Sequence, residues 1–215
     1  MAWFDFDGLN FLGLRVLSLL FILAAYLLGS VSFGILVCRA FGLPDPRTTG
    51  SGNPGATNVL RSGKKAAAAL TLLGDALKGW IAVWLALRAG LLMWEVCAVA
   101  LAVFLGHLYP IYYRFKGGKG VATALGVMLV FSPWLGLAAL VTWVLVFAAT
   151  RFSSLAAITA AALAPIYAYF LMPGYIDYVW TTLALSVLLV WRHRSNIRKL
   201  LDGTEAGFGK NVASK

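Results

Sequence analysis

Six apolar runs, most of them near or above the length of a bilayer crossing, dictate what this chain can fold into. Spanning about 30 Å of hydrocarbon takes roughly 20 helical residues. The runs extend from about Leu12 to Val37, Ala66 to Leu87, Val96 to Tyr113, Val121 to Ala149, Leu155 to Met172 and Ile176 to Trp191. Only 12% of the residues are charged and 61% are hydrophobic, whereas a soluble domain carries about a quarter charged residues to keep its surface wet. The excess must face lipid. The expected fold is therefore an all-α polytopic helix bundle: one transmembrane domain over 1–215, with functional cytoplasmic segments at 39–65, 114–120 and 192–215.

A formal net charge of +10 would suggest nucleic acid in a soluble protein, but no polar face is broad enough for a continuous basic stripe. Membrane topology explains it better, because Lys and Arg gather in short cytoplasmic loops. Of the 18 cations, all but Arg15, Lys78 and Arg88 fall in four clusters: Arg39 to Lys65, Arg114 to Lys119, Arg151, and Arg192 to Lys215. Putting these inside leaves Asp5, Asp7, Glu95 and Asp177 outside. The N-terminus is then external, the C-terminus cytoplasmic and the number of crossings odd. Both Lys119 and Arg151 being inside requires two crossings between them, so the Val121 to Ala149 run should break at Ser132-Pro133. About seven helices result, with five as the alternative and Val121 to Phe131 short enough to be a partial helix. The start Met1-Ala-Trp-Phe-Asp lacks the basic region of a signal peptide, so the first run is expected to stay as a helix. Cys38 and Cys97 lie in different runs, which argues against a disulfide.

Three polar segments interrupt this background. The first, Asp45 to Arg61, interleaves Gly50, Gly52 and Gly55 with Ser51, Asn53, Thr57 and Asn58. Glycines let successive N–H groups turn into one concavity, a shape that binds phosphate oxygens. Gly50 and Gly55 have P-loop spacing, but Ala56-Thr57 stands where Lys-Ser/Thr belongs, so nucleotide hydrolysis is not expected; a flexible linker is the bland alternative. The second segment has Lys116 and Lys119 bracketing Gly117 and Gly118, with Gly120 at the mouth of the next helix, where cation and helix N-terminus together attract an anion. Snorkelling lysines would explain the charges but not the glycines. The third, Trp191 to Glu205, sets His193, Asn196 and Arg192 on one helical face; a basic anchor with a solvated tail is its alternative. Within the membrane, Asp75 and Lys78 are three residues apart and can pair. His107 is as consistent with a structural hydrogen bond as with a site role.

Ser51-Gly-Asn-Pro-Gly-Ala-Thr-Asn58 with Arg61, Gly106-His with Phe115-Lys-Gly-Gly-Lys-Gly-Val-Ala-Thr123, and Arg192-His-Arg-Ser-Asn196 with Gly203-Thr-Glu205 together resemble the bacterial acyl-phosphate:glycerol-3-phosphate acyltransferases, the PlsY family. Leu28 to Gly34 extends the resemblance into the first helix. It implies transfer of a fatty acyl group from a long-chain acyl phosphate to the sn-1 hydroxyl of glycerol 3-phosphate, in the bacterial inner membrane with the site facing the cytoplasm. It also implies essential roles for Ser51, Arg61, Lys119, His193 and Asn196, a phosphate loop at Gly52 and Gly55, and a structural role for Glu205. The other loop residues, Gly50, Asn53, Thr57, Asn58, Lys116, Gly117, Gly118, Gly120 and Arg192, are expected to bind substrate, and Asp75, Lys78 and His107 to brace the site.

Either His193 or a phosphate oxygen of the donor can take the hydroxyl proton; the substrate-assisted route is preferred, since the arginines around His193 disfavour an imidazolium. An acyl-serine at Ser51 is disfavoured because no Ser-His-acid arrangement is visible. A CoA-dependent acyltransferase of the His-x-x-x-x-Asp type is excluded by Tyr112 and Arg198 at that offset from His107 and His193. A transporter of phosphorylated anions remains the alternative of a different class. No cofactor or metal is expected, as no His, Cys or carboxylate cluster has ligand spacing; nor is nucleic acid. The oligomeric state is left open.

Overall fold

In the computed structural model, residues 11–208 are described, so Asp5, Asp7, Lys210 and Lys215 of the charge pattern lie outside the described residues. Every regular element among the described residues is helical. The chain divides into two compact units, residues 1–130 and 131–215.

The first unit contains α1 (Phe11–Gly29), α2 (Phe33–Ala40), α3 (Ala56–Leu60), α4 (Lys65–Arg88), α5 (Met93–Leu108), a 3-10 turn (Ile111–Tyr113) and most of α6 (Val121–Phe131). The first apolar run was expected to form one helix, but it breaks at Ser30–Ser32 and bends by 43°. Gly29-Ser-Val-Ser32 is a weak helical sequence, since glycine is permissive and serine offers the backbone other partners. The break leaves the Val31 carbonyl without a helical donor, and the Lys78 ammonium of α4 donates to it at 2.7 Å. A backbone carbonyl at membrane depth must find such a partner inside the protein.

Because lipid is as apolar as leucine, helices in a bilayer are held by close packing rather than by transfer from water. Here α1 packs on α5, and the two backbones approach at Gly29 and Gly106. A Cβ on Gly29 would collide with the Val103 carbonyl, and one on Gly106 with the Tyr26 carbonyl. Placing leucine at either position would force this crossing apart.

The second unit contains α7 (Pro133–Thr150), α8 (Ser153–Leu171), α9 (Ile176–Arg192) and α10 (Arg194–Leu201), with α7 and α9 both packed on α8. Its close approach comes from alanine: Ala156, Ala157, Ala160, Ala161, Ala164 and Ala168 are all buried on α8. Ser132 is extended and Pro133 occupies the first turn of α7, which gives the break that the sequence signalled.

By length and apolarity, α4, α7, α8 and α5 with its 3-10 extension can each cross a membrane, and α1 with α2 adds a fifth if taken as one broken span. The two further elements that seven crossings require are α6, of 11 residues, and α9, of 17.

Candidate active site

The first polar segment is built around a buried amide. Asn58 lies on α3, 5% exposed; its Nδ2 donates to the carbonyls of Pro46 (2.7 Å) and Thr49 (3.0 Å), and its Oδ1 accepts the Ser51 N–H at 2.9 Å. Both amide hydrogens and the oxygen are thus used to fold the loop back on α3. Asn58, expected among the substrate-binding groups, takes an architectural part here. Gly50 has φ +56°, in the left-handed region, and a Cβ there would strike Asn58 Oδ1. Glycine is what allows the Asn58 amide to lie against this turn. The expected row of inward N–H groups is modified: those of Ser51 and Gly52 are occupied by Asn58 Oδ1 and the Thr49 carbonyl. Ser51 and Arg61 themselves are exposed, Asn53 lies over Gly55, and Thr57 is half-buried.

The second segment is anchored from below. The Gly118 N–H donates to the His107 carbonyl at 3.1 Å, and a Cβ on Gly118 would run into the His107 imidazole. His107 Nδ1 lies 3.5 Å from Asp75 Oδ1, and the same oxygen is 2.8 Å from Lys78 Nζ. Thr123, in the first turn of α6, donates its hydroxyl to the Asp75 carbonyl. Asp75, Lys78 and His107 therefore form one buried cluster beneath Gly117-Gly-Lys-Gly120. Lys119 stands two residues before α6, with Gly120 at φ +86° completing the approach to the helix. The Asp75–Lys78 pair was legible from i, i+3 spacing; the addition of His107 from α5 was not, because only the helix packing brings it there.

The two segments of the first unit meet at Arg47, whose guanidinium lies 5.5 Å from the Tyr113 ring centroid. Asp45 accepts hydrogen bonds from Arg47, the shortest at 2.6 Å, and these hold its carboxyl below the usual carboxylate range. Lys116 is exposed, and Gly117 packs against the His107 carbonyl.

In the second unit, His193 joins α9 to α10 and is 3% exposed. Its Nδ1 lies 2.8 Å from the Leu189 carbonyl; a carbonyl only accepts, so Nδ1 carries the proton and a neutral ring presents Nε2 as an acceptor. Asn196 Nδ2 donates to Glu205 Oε1 at 2.7 Å, and Ser154 Oγ donates to the same oxygen at 2.5 Å. That oxygen accepts from both, which fixes the amide with Nδ2 toward Glu205 and Oδ1 turned away. Arg192, beside His193, is half-buried. The Glu205 carboxylate explains why a residue in the tail belongs with the site. Ser154 carried no sequence signal, being one serine in an alanine-rich helix.

Among the described residues, no group of three or more His, Cys, Asp or Glu side chains gathers as metal ligands.

Known proteins share this architecture. A family described as glycerol-3-phosphate acyltransferase matches residues 19–203. Curated relatives called glycerol-3-phosphate acyltransferase include one from Methylobacillus flagellatus, 73% identical over 88% of this chain and 96% of its own length. Another, from Thioalkalivibrio sulfidiphilus, is 59% identical over 90% of this chain and 95% of its own. Among solved structures, crystal structures of PlsY, an integral membrane glycerol 3-phosphate acyltransferase, superpose well. The glycerol 3-phosphate form has a TM-score of 0.84 at 40% identity and covers 89% of this chain and 96% of that one. The lysophosphatidic acid form has a TM-score of 0.83 at 39% identity, over 89% and 95%. With the Gly50-to-Gly55 loop, the Gly117-to-Gly120 segment, His193 and Asn196 all falling within residues 19–203, the chain belongs to the glycerol-3-phosphate acyltransferase family of integral membrane enzymes.

Proposed function

We propose that this enzyme transfers a fatty acyl group from a long-chain acyl phosphate to the sn-1 hydroxyl of glycerol 3-phosphate, giving lysophosphatidic acid and inorganic phosphate for phospholipid synthesis. The observation that carries the reading is Lys119, set two residues before α6 on a segment clamped to the buried Asp75–Lys78–His107 cluster. A helix N-terminus with a cation beside it attracts phosphate, and clamping fixes where that phosphate sits. Positioning of two reactants is itself worth several kcal/mol of barrier, on the order of 7–11 in well-oriented cases.

In the reaction, the hydroxyl oxygen bonds to the acyl carbon while the carbon–oxygen bond to phosphate breaks, and the hydroxyl proton leaves on the departing phosphate. Arg61 and Lys119 neutralise phosphate charge, Ser51 orients substrate, and Lys119 stabilises the developing oxyanion. Gly50, Gly52, Asn53, Gly55, Thr57, Lys116, Gly117, Gly118 and Gly120 shape the surrounding surface. The His193 Nδ1–H is committed to the Leu189 carbonyl, so its Nε2 can accept the glycerol hydroxyl and orient it while the donor's phosphate takes the proton. Asn196, fixed by Glu205, presents its Oδ1 to a substrate hydroxyl.

The charge pattern supports seven crossings of a bacterial inner membrane, with N-terminus outside, C-terminus inside and the polar segments on the cytoplasmic face. A membrane setting lets the donor's acyl chain arrive from the lipid and glycerol 3-phosphate from water.

The test is acyl transfer by the purified full chain, with acyl phosphate and acyl-CoA of one chain length compared side by side. Labelled lysophosphatidic acid and stoichiometric phosphate from the acyl phosphate alone are expected. Failure with both donors, together with phosphate flux in vesicles, would overturn the reading in favour of transport.

A further inference from the structure

Beside the phosphate loop of the first unit is a cavity of about 410 Å³ walled by Arg47, Tyr112, Tyr113, Arg114 and Lys116. Only Lys116 belongs to the surface assigned above. Three cations meet there, and Asp45 is the carboxylate paired with one of them, Arg47. Positive charge therefore exceeds negative by two, which matches a phosphate monoester near neutral pH better than a singly charged diester.

The wall is shaped at a cost. Arg114 and Phe115 are consecutive non-glycine residues in the left-handed region, with φ of 53° and 59°. That conformation is rare for such side chains and is held only where surrounding structure enforces it. The enforcement is visible: the Tyr113 and Phe115 N–H groups both donate to the Pro110 carbonyl, and the Lys116 N–H to the Tyr113 carbonyl. The Ile111 N–H is held by Ser30 Oγ. A rigid strap results, carrying Arg114 and Lys116 on the cavity while Ile111, Tyr112 and Phe115 are exposed. Aromatic and apolar side chains alternating with cations suit the membrane–water interface.

We propose that the cavity between Arg47 and the Tyr112–Lys116 strap is a second phosphate site that selects a phosphate monoester, with Ile111, Tyr112 and Phe115 seating the chain when the monoester is a lipid headgroup. It shares only Lys116 with the substrate surface and does not depend on the donor assigned above.

The test uses the full chain in phosphatidylcholine nanodiscs. Phosphatidic acid is the lipid monoester, phosphatidylglycerol the lipid diester, and glycerol 3-phosphate the soluble monoester, with bound lipid counted by native mass spectrometry and soluble ligand by calorimetry. The variant Arg114→Asn removes the charge but keeps a residue that tolerates the left-handed backbone, and Arg114→Lys restores the charge. Phosphatidic acid is expected to bind about tenfold tighter than phosphatidylglycerol, and Arg114→Asn to weaken it about tenfold, as for the loss of one charge-assisted hydrogen bond. Arg114→Lys should recover part of that loss, and kcat for acyl transfer should stay within about twofold in both variants. If the site takes the soluble monoester instead, Arg114→Asn removes one of two glycerol 3-phosphate binding events and leaves lipid binding unchanged. Equal binding of monoester and diester, no effect of Arg114→Asn on any arm, or a kcat that falls in step with binding would each overturn the proposal.

Discussion

The two units hold the groups proposed for function by opposite means. In the first, the groups sit on loops, with Ser51, Arg61 and Lys116 exposed, and what fixes them lies underneath: a buried amide at Asn58 and a buried ionic cluster at Asp75, Lys78 and His107. In the second, the proposed site side chains themselves are buried, His193 at 3% exposure and Asn196 at 9%, and a carboxylate from the tail and a helix carbonyl hold them. The first arrangement leaves cations such as Arg61 accessible while fixing the backbone that carries them; the second fixes the direction of individual hydrogen bonds. Damage to the supports should therefore appear as lost folding or substrate affinity in the first unit and as lost turnover in the second.

The cysteines offer a way to separate these outcomes. Both Cys38 and Cys97 are buried in the first unit, so their reaction with a maleimide dye on heating reports that unit alone.

The largest effect is expected at the ionic cluster. Lys78→Met leaves the Asp75 carboxylate without its 2.8 Å partner and the Val31 carbonyl without its donor. Breaking one side of a buried pair costs about 3–5 kcal/mol, so the thiols should react at a markedly lower temperature. Replacing both charges, as Asp75→Leu with Lys78→Met, should recover only part of the loss, because Val31 remains unsatisfied. Full recovery would mean that the break between α1 and α2 does not need Lys78.

This cluster also marks the limit of what the sequence could convey. Apolar run length gave α4, α7, α8 and α9 nearly to their ends, and Ser132-Pro133 gave the break before α7, because both signals are local. The break at Ser30–Ser32 was missed because its stabilising partner, Lys78, lies 47 residues away. In the site, residue types at fixed spacing identified the glycine loops and the Asp75–Lys78 pair. Spacing alone could not separate an amide that faces substrate from one that faces inward, as Asn58 does, nor reveal Ser154 as a second donor to Glu205.

The second unit should respond in turnover. Glu205→Ala removes the acceptor shared by Asn196 and Ser154, freeing the Asn196 amide to rotate. Loss of orientation at a reacting group can cost up to about a hundredfold. The expected result is a fall in kcat of that order with the thiol melting temperature unchanged, and partial rescue by Glu205→Gln, whose carbonyl still accepts. A rise in KM with unchanged kcat would place Asn196 in ground-state binding only.

The matching change in the first unit is Asn58→Ala, which strips three hydrogen bonds from the loop. Leaving buried backbone partners unmet costs about 1–3 kcal/mol. Lower thiol melting and a higher KM for glycerol 3-phosphate are expected, with kcat less affected than in Glu205→Ala. The reverse split would erase the distinction between the units.

The smallest effect belongs to Asp45, whose side chain is about one-third exposed in its pair with Arg47. Hydrogen bonds from Arg47 lower its carboxyl pKa, so its contribution is present above the ordinary carboxylate value, about 3.9, and is lost as pH falls through the lower folded value. An exposed pair is worth at most about 1 kcal/mol and is screened by salt. Asp45→Asn should therefore leave thiol melting nearly unchanged at neutral pH while releasing Arg47 from its seat over Tyr113. If the cavity beside Arg47 holds phosphate monoesters, the same substitution removes the carboxylate that offsets one of its three cations. Monoester binding should then tighten by a few-fold at low salt, an effect opposite in sign to that of Arg114→Asn and diminished in 0.5 M salt, where screening shortens to about 4 Å. Unchanged binding in Asp45→Asn would show that Arg47 supports the cavity wall without contributing its charge to the ligand.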